Sequence, residues 1–212
     1  MKRAKDRISD IIKALKKTYP GARTTLRHKN AFQLLVSTIL SAQCTDERIN
    51  GLTVGLFKKY KTVFDFARAR RPELERDIRP AGFYRNKAKN IIAASKKIVK
   101  DFNGRVPDSM EGLITLPGVA RKTANIVLSS SFGKAEGIAV DTHVRRLSGR
   151  MGLSEESNPD KIEKDLMAIV PKSEWPRFNY MLVNHGRAVC RARKPLCRFC
   201  AVKDFCPSAK KF

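Results

Sequence analysis

No stretch of this 212-residue chain approaches the roughly 20 consecutive apolar residues that a membrane-spanning helix needs. The N-terminus, MKRAKDRISDIIKALKK, has no continuous apolar segment followed by a small-residue cleavage site, so it does not read as a secretory signal. A cytosolic protein is expected. Acidic residues are scarce, with 20 Asp and Glu against 44 Lys and Arg, a net charge of +24. Thermophile surfaces balance Lys with Glu, so they do not account for this excess, and a nucleic-acid partner does. An anionic membrane surface is the weaker reading, because the basic residues are spread over the whole chain. Alternating β-branched runs are few, and neither a low-complexity linker nor a tandem repeat interrupts the sequence.

What is present is helical periodicity. Ile8, Ile11, Ile12 and Leu15 fall at i, i+3, i+4 and i+7, one face of an amphipathic helix. Phe32, Leu35, Val36, Ile39 and Leu40 form a second stripe, and Ala88, Ile91, Ile92, Ser95 and Val99 a third. Ile162, Leu166 and Ile169 suggest another, as do Phe178, Met181, Leu182, His185 and Val189. Turn signals separate them: Tyr19-Pro20-Gly21, Arg79 to Gly82, Asn103-Gly104, Leu116-Pro117-Gly118 and Asn158-Pro159. Apolar residues make up 42% of the chain, enough for a real core in one large domain or two small lobes. The expected fold class is all-α with short connections.

Four of the five cysteines, Cys190, Cys197, Cys200 and Cys206, crowd into the last 23 residues with spacing C-x6-C-x2-C-x5-C. In a reducing compartment such a set is a metal site before it is a pair of disulfides. Zinc sites favour two close C-x2-4-C or H-x3-5-H pairs, and only Cys197 and Cys200 form one here. An all-thiolate donor set suits an iron–sulfur cluster, yet spacing alone keeps zinc a serious rival. Arg191, Arg193 and Lys194 make the loop between the first two ligands strongly basic, and fixing its ends would aim these charges at phosphates. A solvated loop that favours solubility is the plainer alternative. Cys44, outside this set, reads as a small packed residue.

Two upstream segments carry candidate chemistry. In LPGVARK, from Leu116 to Lys122, a Pro-Gly turn leads into a helix whose first N–H groups lack partners and whose dipole is positive, which suits a phosphate oxygen. A plain helix–helix connection is the commoner use of such a turn. Lys122 lies in the first turns of that helix beside Arg121, and both neighbours disfavour its ammonium form. A neutral amine there is a nucleophile able to form a Schiff base, whereas an ordinary lysine would hold phosphate. About twenty residues on, Asp141 of Val140 to His143 stands between an apolar extended run and a helix, where Asp usually serves as an N-cap. The same carboxylate could assist departure of a base and stabilise positive charge at a sugar carbon.

LLVSTILSAQCTD, GFYRNKAKNI, NGRVPDS, LPGVARKTAN, AVDTHVRRL and HGRAVCRARKPLCRFC occur in this order along nearly the whole chain. With these segments the sequence resembles the helix-hairpin-helix DNA glycosylases, and within them the branch that joins base excision to abasic-site lyase activity. The resemblance implies a base excision repair enzyme acting on double-stranded DNA as a monomer, with oxidised pyrimidines as the default lesions, and placed with the nucleoid in the cytoplasm. It implies two helical lobes flanking a DNA groove: a six-helix lobe over residues 25–134, and a discontinuous lobe of residues 1–24 plus 135–212. It puts Lys122 on the Schiff-base lysine and Asp141 on the catalytic aspartate. Gln43 falls on a polar side chain that fills the hole left by an extruded nucleotide, and Phe83 on a wedge that is typically leucine. Gly118, Ala120 and Arg121 fall on the hairpin that grips the DNA backbone. Cys190, Cys197, Cys200 and Cys206 fall on the ligands of a structural [4Fe–4S] cluster. Two departures stand out. Ala120 replaces the hairpin's usual second glycine, which would be costly if that position needs positive φ and harmless if it starts the helix. Phe83 is larger and flatter than Leu and could stack on a base as well as wedge.

Overall fold

A computed structural model describes residues 3–209 and 211 of the chain, and among these it is helical with no strand. The expected second lobe also includes residues 1, 2, 210 and 212, which lie outside the described residues. The helices are α1 (Ala4–Thr18), α2 (Ala31–Ser41), α3 (Asp46–Lys59), α4 (Val63–Arg68), α5 (Arg71–Asp77), α6 (Tyr84–Asp101), α7 (Met110–Ile114), α8 (Arg121–Ser131), α9 (Thr142–Arg150), α10 (Pro159–Ile169) and α11 (Trp175–Ala188). Side-chain caps set many of their starts. Asn30 accepts from the Gln33 N–H at 2.9 Å, Ser109 from Gly112 at 3.2 Å and Asp141 from Val144 at 2.8 Å. Thr62 and Asp65 form a reciprocal capping box at α4. The chain divides into two compact units, Thr25–Gly133 and Met1–Thr24 with Lys134–Phe212.

The unit Thr25–Gly133 is organised around α2. Its residues from Leu34 to Leu40 are all buried, so the helix has no solvent face over two turns. α3, α6 and α8 pack against it. An open cleft is lined by Asn30 and Phe32 at the start of α2, Gly104 just past α6, and Phe132 just past α8. Away from the cleft, Lys87 of α6 bonds the carbonyls of Leu40 and Ala42 at the end of α2 and of Ala81 before α6, and Gly118 before α8 abuts Asn90 of α6.

The second unit packs α1, α9, α10 and α11 around Ile11, Leu15, Leu147, Leu166, Phe178 and Leu182. Arg7 is buried in α1 and donates to the carbonyls of Met151 at 2.9 Å, Gly152 at 3.1 Å and Phe205, tying the first helix to the tail. α9 and α11 meet where Gly186 lies against His143 and Arg146. No helix is long and apolar enough to cross a membrane among the described residues.

A Cβ at Gly186 would lie 2.7 Å from His143 Nδ1 and 2.9 Å from Arg146 Nη2. Overpacking of this kind costs about 1–3 kcal/mol. Gly186→Ala is expected to lower the thermal unfolding midpoint by several degrees in a calorimetric scan. An unchanged midpoint would show that α9 and α11 can separate freely.

Candidate functional site

In the unit Thr25–Gly133, the hairpin is built by two buried apolar anchors and one glycine. Leu116 and Val119 are buried, and the Val119 N–H donates to the Leu116 carbonyl at 3.1 Å, closing the turn around Pro117 and Gly118. Gly118 has φ +80°, and a Cβ there would come within 2.8 Å of the Asn90 side chain. Both the backbone conformation and the approach to α6 therefore require glycine. Ala120 has φ −91° and ψ 168° and is the N-cap of α8. This is extended backbone open to any residue, so the alanine carries no conformational penalty. No side-chain hydrogen bond caps α8 at Ala120, and a helix start of this kind suits an anion. Arg121 is half-buried at the first position of the helix, and Lys122, at the second, is exposed.

Gln43 and Phe83 share an uncommon backbone conformation. Gln43 has φ +55° in the loop between α2 and α3, and Phe83 has φ +46° as the N-cap of α6, straight after Gly82 at φ +67°. Left-handed backbone at residues other than glycine costs on the order of 1–3 kcal/mol and persists only where the surroundings enforce it. Both side chains are exposed, and Phe83 keeps 65% of its surface open.

The second unit holds Asp141 and the thiols. Ile138, Ala139 and Val140 are buried in an extended segment that delivers half-buried Asp141 to the start of α9. One carboxylate oxygen caps the helix, accepting from Val144 at 2.8 Å. Capping fixes the carboxylate's orientation and does not consume its second oxygen.

Cys190, Cys197, Cys200 and Cys206 line one cavity together with Arg150, Met151, His185 and Val189, and all are free thiols. Among the described residues no three His, Cys, Asp or Glu side chains converge tightly enough to hold a metal ion as they stand. Four thiols around one cavity form an all-thiolate donor set, which suits an iron–sulfur cluster. Burial, and then the nearby Cys206, Cys190 and Cys197, push the Cys200 thiol up to about 11. The fully buried His185 bridges Tyr19 Oη, 3.0 Å from its Nδ1, and Cys200 Sγ, 3.3 Å from its Nε2. Burial pushes His185 down to about 4, so its ring is neutral near pH 7 and carries one N–H.

The basic loop is tied from beneath. The Leu196 N–H closes its base by donating to Val189 at 2.9 Å. Arg150 Nη1 donates to the Arg191 carbonyl at 2.6 Å, and its Nη2 to Ala192 at 2.8 Å. Arg146 Nη2 donates to the carbonyls of Gly186 at 3.2 Å and Cys190 at 2.9 Å. Arg191, Arg193 and Lys194 point their charges outward, and Lys194 has φ +49°. In the sequence Arg150 is one of 44 basic residues with no distinctive spacing, so its role becomes visible only in three dimensions.

Residues 36–172 match the family model described as the HhH-GPD superfamily base excision DNA repair protein. Endonuclease III of Synechocystis sp. is 53% identical over 97% of this chain and 94% of its own length, and endonuclease III of Bacillus subtilis is 43% identical over 97% and 91%. A solved structure of a trapped endonuclease III–DNA covalent intermediate superposes with a TM-score of 0.93 at 42% identity, covering 98% of this chain and 97% of that one. A thermostable thymine-DNA glycosylase shares the fold, with a TM-score of 0.88 at 23% identity over 98% of each chain. The chain belongs to the HhH-GPD superfamily of base excision DNA repair proteins and, within it, to the endonuclease III family. Its activity is that of a base excision repair DNA glycosylase.

Arg150→Met removes the fork that holds the loop carbonyls. Limited trypsin digestion of this variant is expected to cut within residues 191–194 several-fold faster than in wild type. Equal cutting rates would mean that the loop is ordered without Arg150.

Proposed function

We propose that the chain removes damaged pyrimidines, chiefly oxidised ones, from double-stranded DNA and then cuts the strand at the resulting abasic site, with Lys122 as nucleophile. The observation that carries this reading is the position of Lys122. It is exposed on the first turn of α8, directly behind the Gly118 hairpin, in a chain 42% identical to an endonuclease III that was trapped covalently on DNA.

The sequence of events follows from the groups present. Exposed Lys and Arg side chains, among them Arg191, Arg193 and Lys194, neutralise phosphates. The α8 N–H groups with Gly118, Ala120 and Arg121 hold one stretch of backbone. Gln43 and Phe83 enter the stack as the damaged nucleotide rotates out. Unstacking costs a few kcal/mol and least for a damaged base, which contributes to selectivity. The lone pair of Lys122 Nζ bonds to C1′ as the C1′–N bond breaks and its electron pair leaves with the base. Asp141 stabilises the positive charge that develops at the sugar. Ring opening gives an imine, which acidifies the C2′ protons. Loss of one of them expels the 3′ phosphate oxygen, so the strand is cut 3′ to the lesion.

Cys190, Cys197, Cys200 and Cys206 would hold a [4Fe–4S] cluster. Such a group with four protein thiolates supplies rigidity here and no open coordination site for substrate. Its contribution would be to anchor the loop from Arg191 to Leu196 at both ends, adding to the tie from Arg150.

A monofunctional glycosylase on the same fold would use activated water and would need no amine at position 122. Borohydride reduction during turnover on thymine-glycol duplex separates the two. Wild type is expected to give a stable protein–DNA adduct and Lys122→Ala none; equal trapping by both would falsify the nucleophile assignment. For Asp141→Asn, single-turnover base release is expected to slow by at least about a hundredfold while duplex affinity stays within a few-fold. An unchanged rate would remove Asp141 from the chemistry.

A further inference from the structure

Lys87 is the fourth residue of α6, and it is only 5% exposed. Its ammonium donates to three backbone carbonyls: Leu40 at 2.8 Å, Ala42 at 2.7 Å and Ala81 at 2.8 Å. An ammonium has three N–H groups, so its donors are fully used. No carboxylate pairs with it among the described residues. Burial, opposed by the neighbouring Cys44 thiol, lowers its proton affinity, so holding a cation here works against its solvation. A neutral side chain of similar size would pack without that penalty.

The three acceptors are informative. The Leu40 and Ala42 carbonyls belong to the C-terminal end of α2, where carbonyls lack helical partners and the dipole is negative. Ala42 immediately precedes Gln43, at φ +55°, and Ala81 stands two residues before Phe83, at φ +46°. One ammonium thus grips the backbone directly upstream of both left-handed residues, from two loops forty positions apart in sequence. Each of those conformations needs an external constraint to persist, and Lys87 is the contact they have in common.

We propose that Lys87 is a positioning residue for base excision: by bonding these three carbonyls it holds the Gln43 and Phe83 loops together in the arrangement that fills the gap left by an extruded nucleotide. It touches neither lesion nor sugar. The inference rests on the reading that Gln43 and Phe83 enter the DNA stack. A plain structural role would weaken folding and every activity alike. The positioning role weakens only steps that require duplex to be opened.

Lys87→Met keeps the length of the side chain and removes its charge and donors. With a thymine-glycol duplex carrying 2-aminopurine beside the lesion, the variant is expected to lose most of the fluorescence rise on binding. Single-turnover excision should slow on the order of ten- to a hundredfold. β-Elimination at a preformed abasic site in a single-stranded oligonucleotide, which needs no gap to be filled, should stay within twofold of wild type. In a Gln43→Ala, Phe83→Ala background, Lys87→Met should add little further loss, because its effect passes through those two residues. Equal slowing on both substrates, full additivity, or wild-type excision and fluorescence would each overturn the proposal. Should Lys87→Met fail to fold, Lys87→Arg carries the same test. Its planar fork keeps the charge but cannot cap three converging carbonyls as an ammonium does, and it should show the same split between duplex and single strand. Wild-type rates on both substrates, or equal losses on both, would overturn the proposal there too. If Gln43→Ala and Phe83→Ala alone leave excision and fluorescence unchanged, the insertion reading itself is wrong and the clamp has nothing to position. If they slow excision and Lys87→Met does not, only the clamp is wrong.

Discussion

The burial of α2 on every side is the constraint on which the rest of the unit Thr25–Gly133 depends. From Leu34 to Leu40 no residue can move to solvent, so α3, α6 and α8 must cover it. Once they do, the ends of three helices come into register. The loop after α2 and the loop before α6 meet at Lys87, the hairpin before α8 abuts Asn90 of α6, and the opposite ends of these helices line the open cleft. A core of ordinary aliphatic residues therefore decides where Gln43, Phe83 and Lys122 stand. These three side chains contribute little to that placement, being exposed and, for Gln43 and Phe83, held in left-handed backbone.

Cations also serve inside the protein. A net charge of +24 suggests that basic residues exist to meet phosphate. Yet Arg7, Lys87, Arg146 and Arg150 all turn their donors to backbone carbonyls of the protein itself. Each fastens one segment: the tail near Phe205, the paired loops around Gln43 and Phe83, the end of α11, or the basic loop. Internal cations thus order the backbone, and Arg191, Arg193 and Lys194 on the loop held by Arg150 stay exposed. The cysteines belong to the same scheme. They gather around one cavity next to the loop that Arg150 and Arg146 hold.

Much of this was legible in the sequence. Apolar stripes placed α1, α2, α6, α10 and α11, because a period near 3.6 survives wherever one face is buried. Leu116-Pro117-Gly118 marked the hairpin, and Asp141 was recognisable as a cap by its position between an extended run and a helix. Ala120 posed a question that only the backbone answers: the left-handed residue of the turn is Gly118, and Ala120 is extended. Arg150 and Lys87 could not be picked out. Both act on backbone carbonyls far away in sequence, and neither periodicity nor spacing encodes a contact across forty residues. The shared conformation of Gln43 and Phe83 was hidden for the same reason, since positive φ at a residue other than glycine is imposed by tertiary structure.

The central claim is that the core of α2, α6 and α8 presents one particular amine to the sugar of an extruded nucleotide. The most direct measurement is to reduce the enzyme–DNA adduct with borohydride, digest it, and locate the sugar remnant by peptide mass spectrometry. The account predicts that the modification lies on Lys122 alone, at the start of α8. Modification of the N-terminal amine, of Lys89 or of another lysine, with Lys122 untouched, would contradict it.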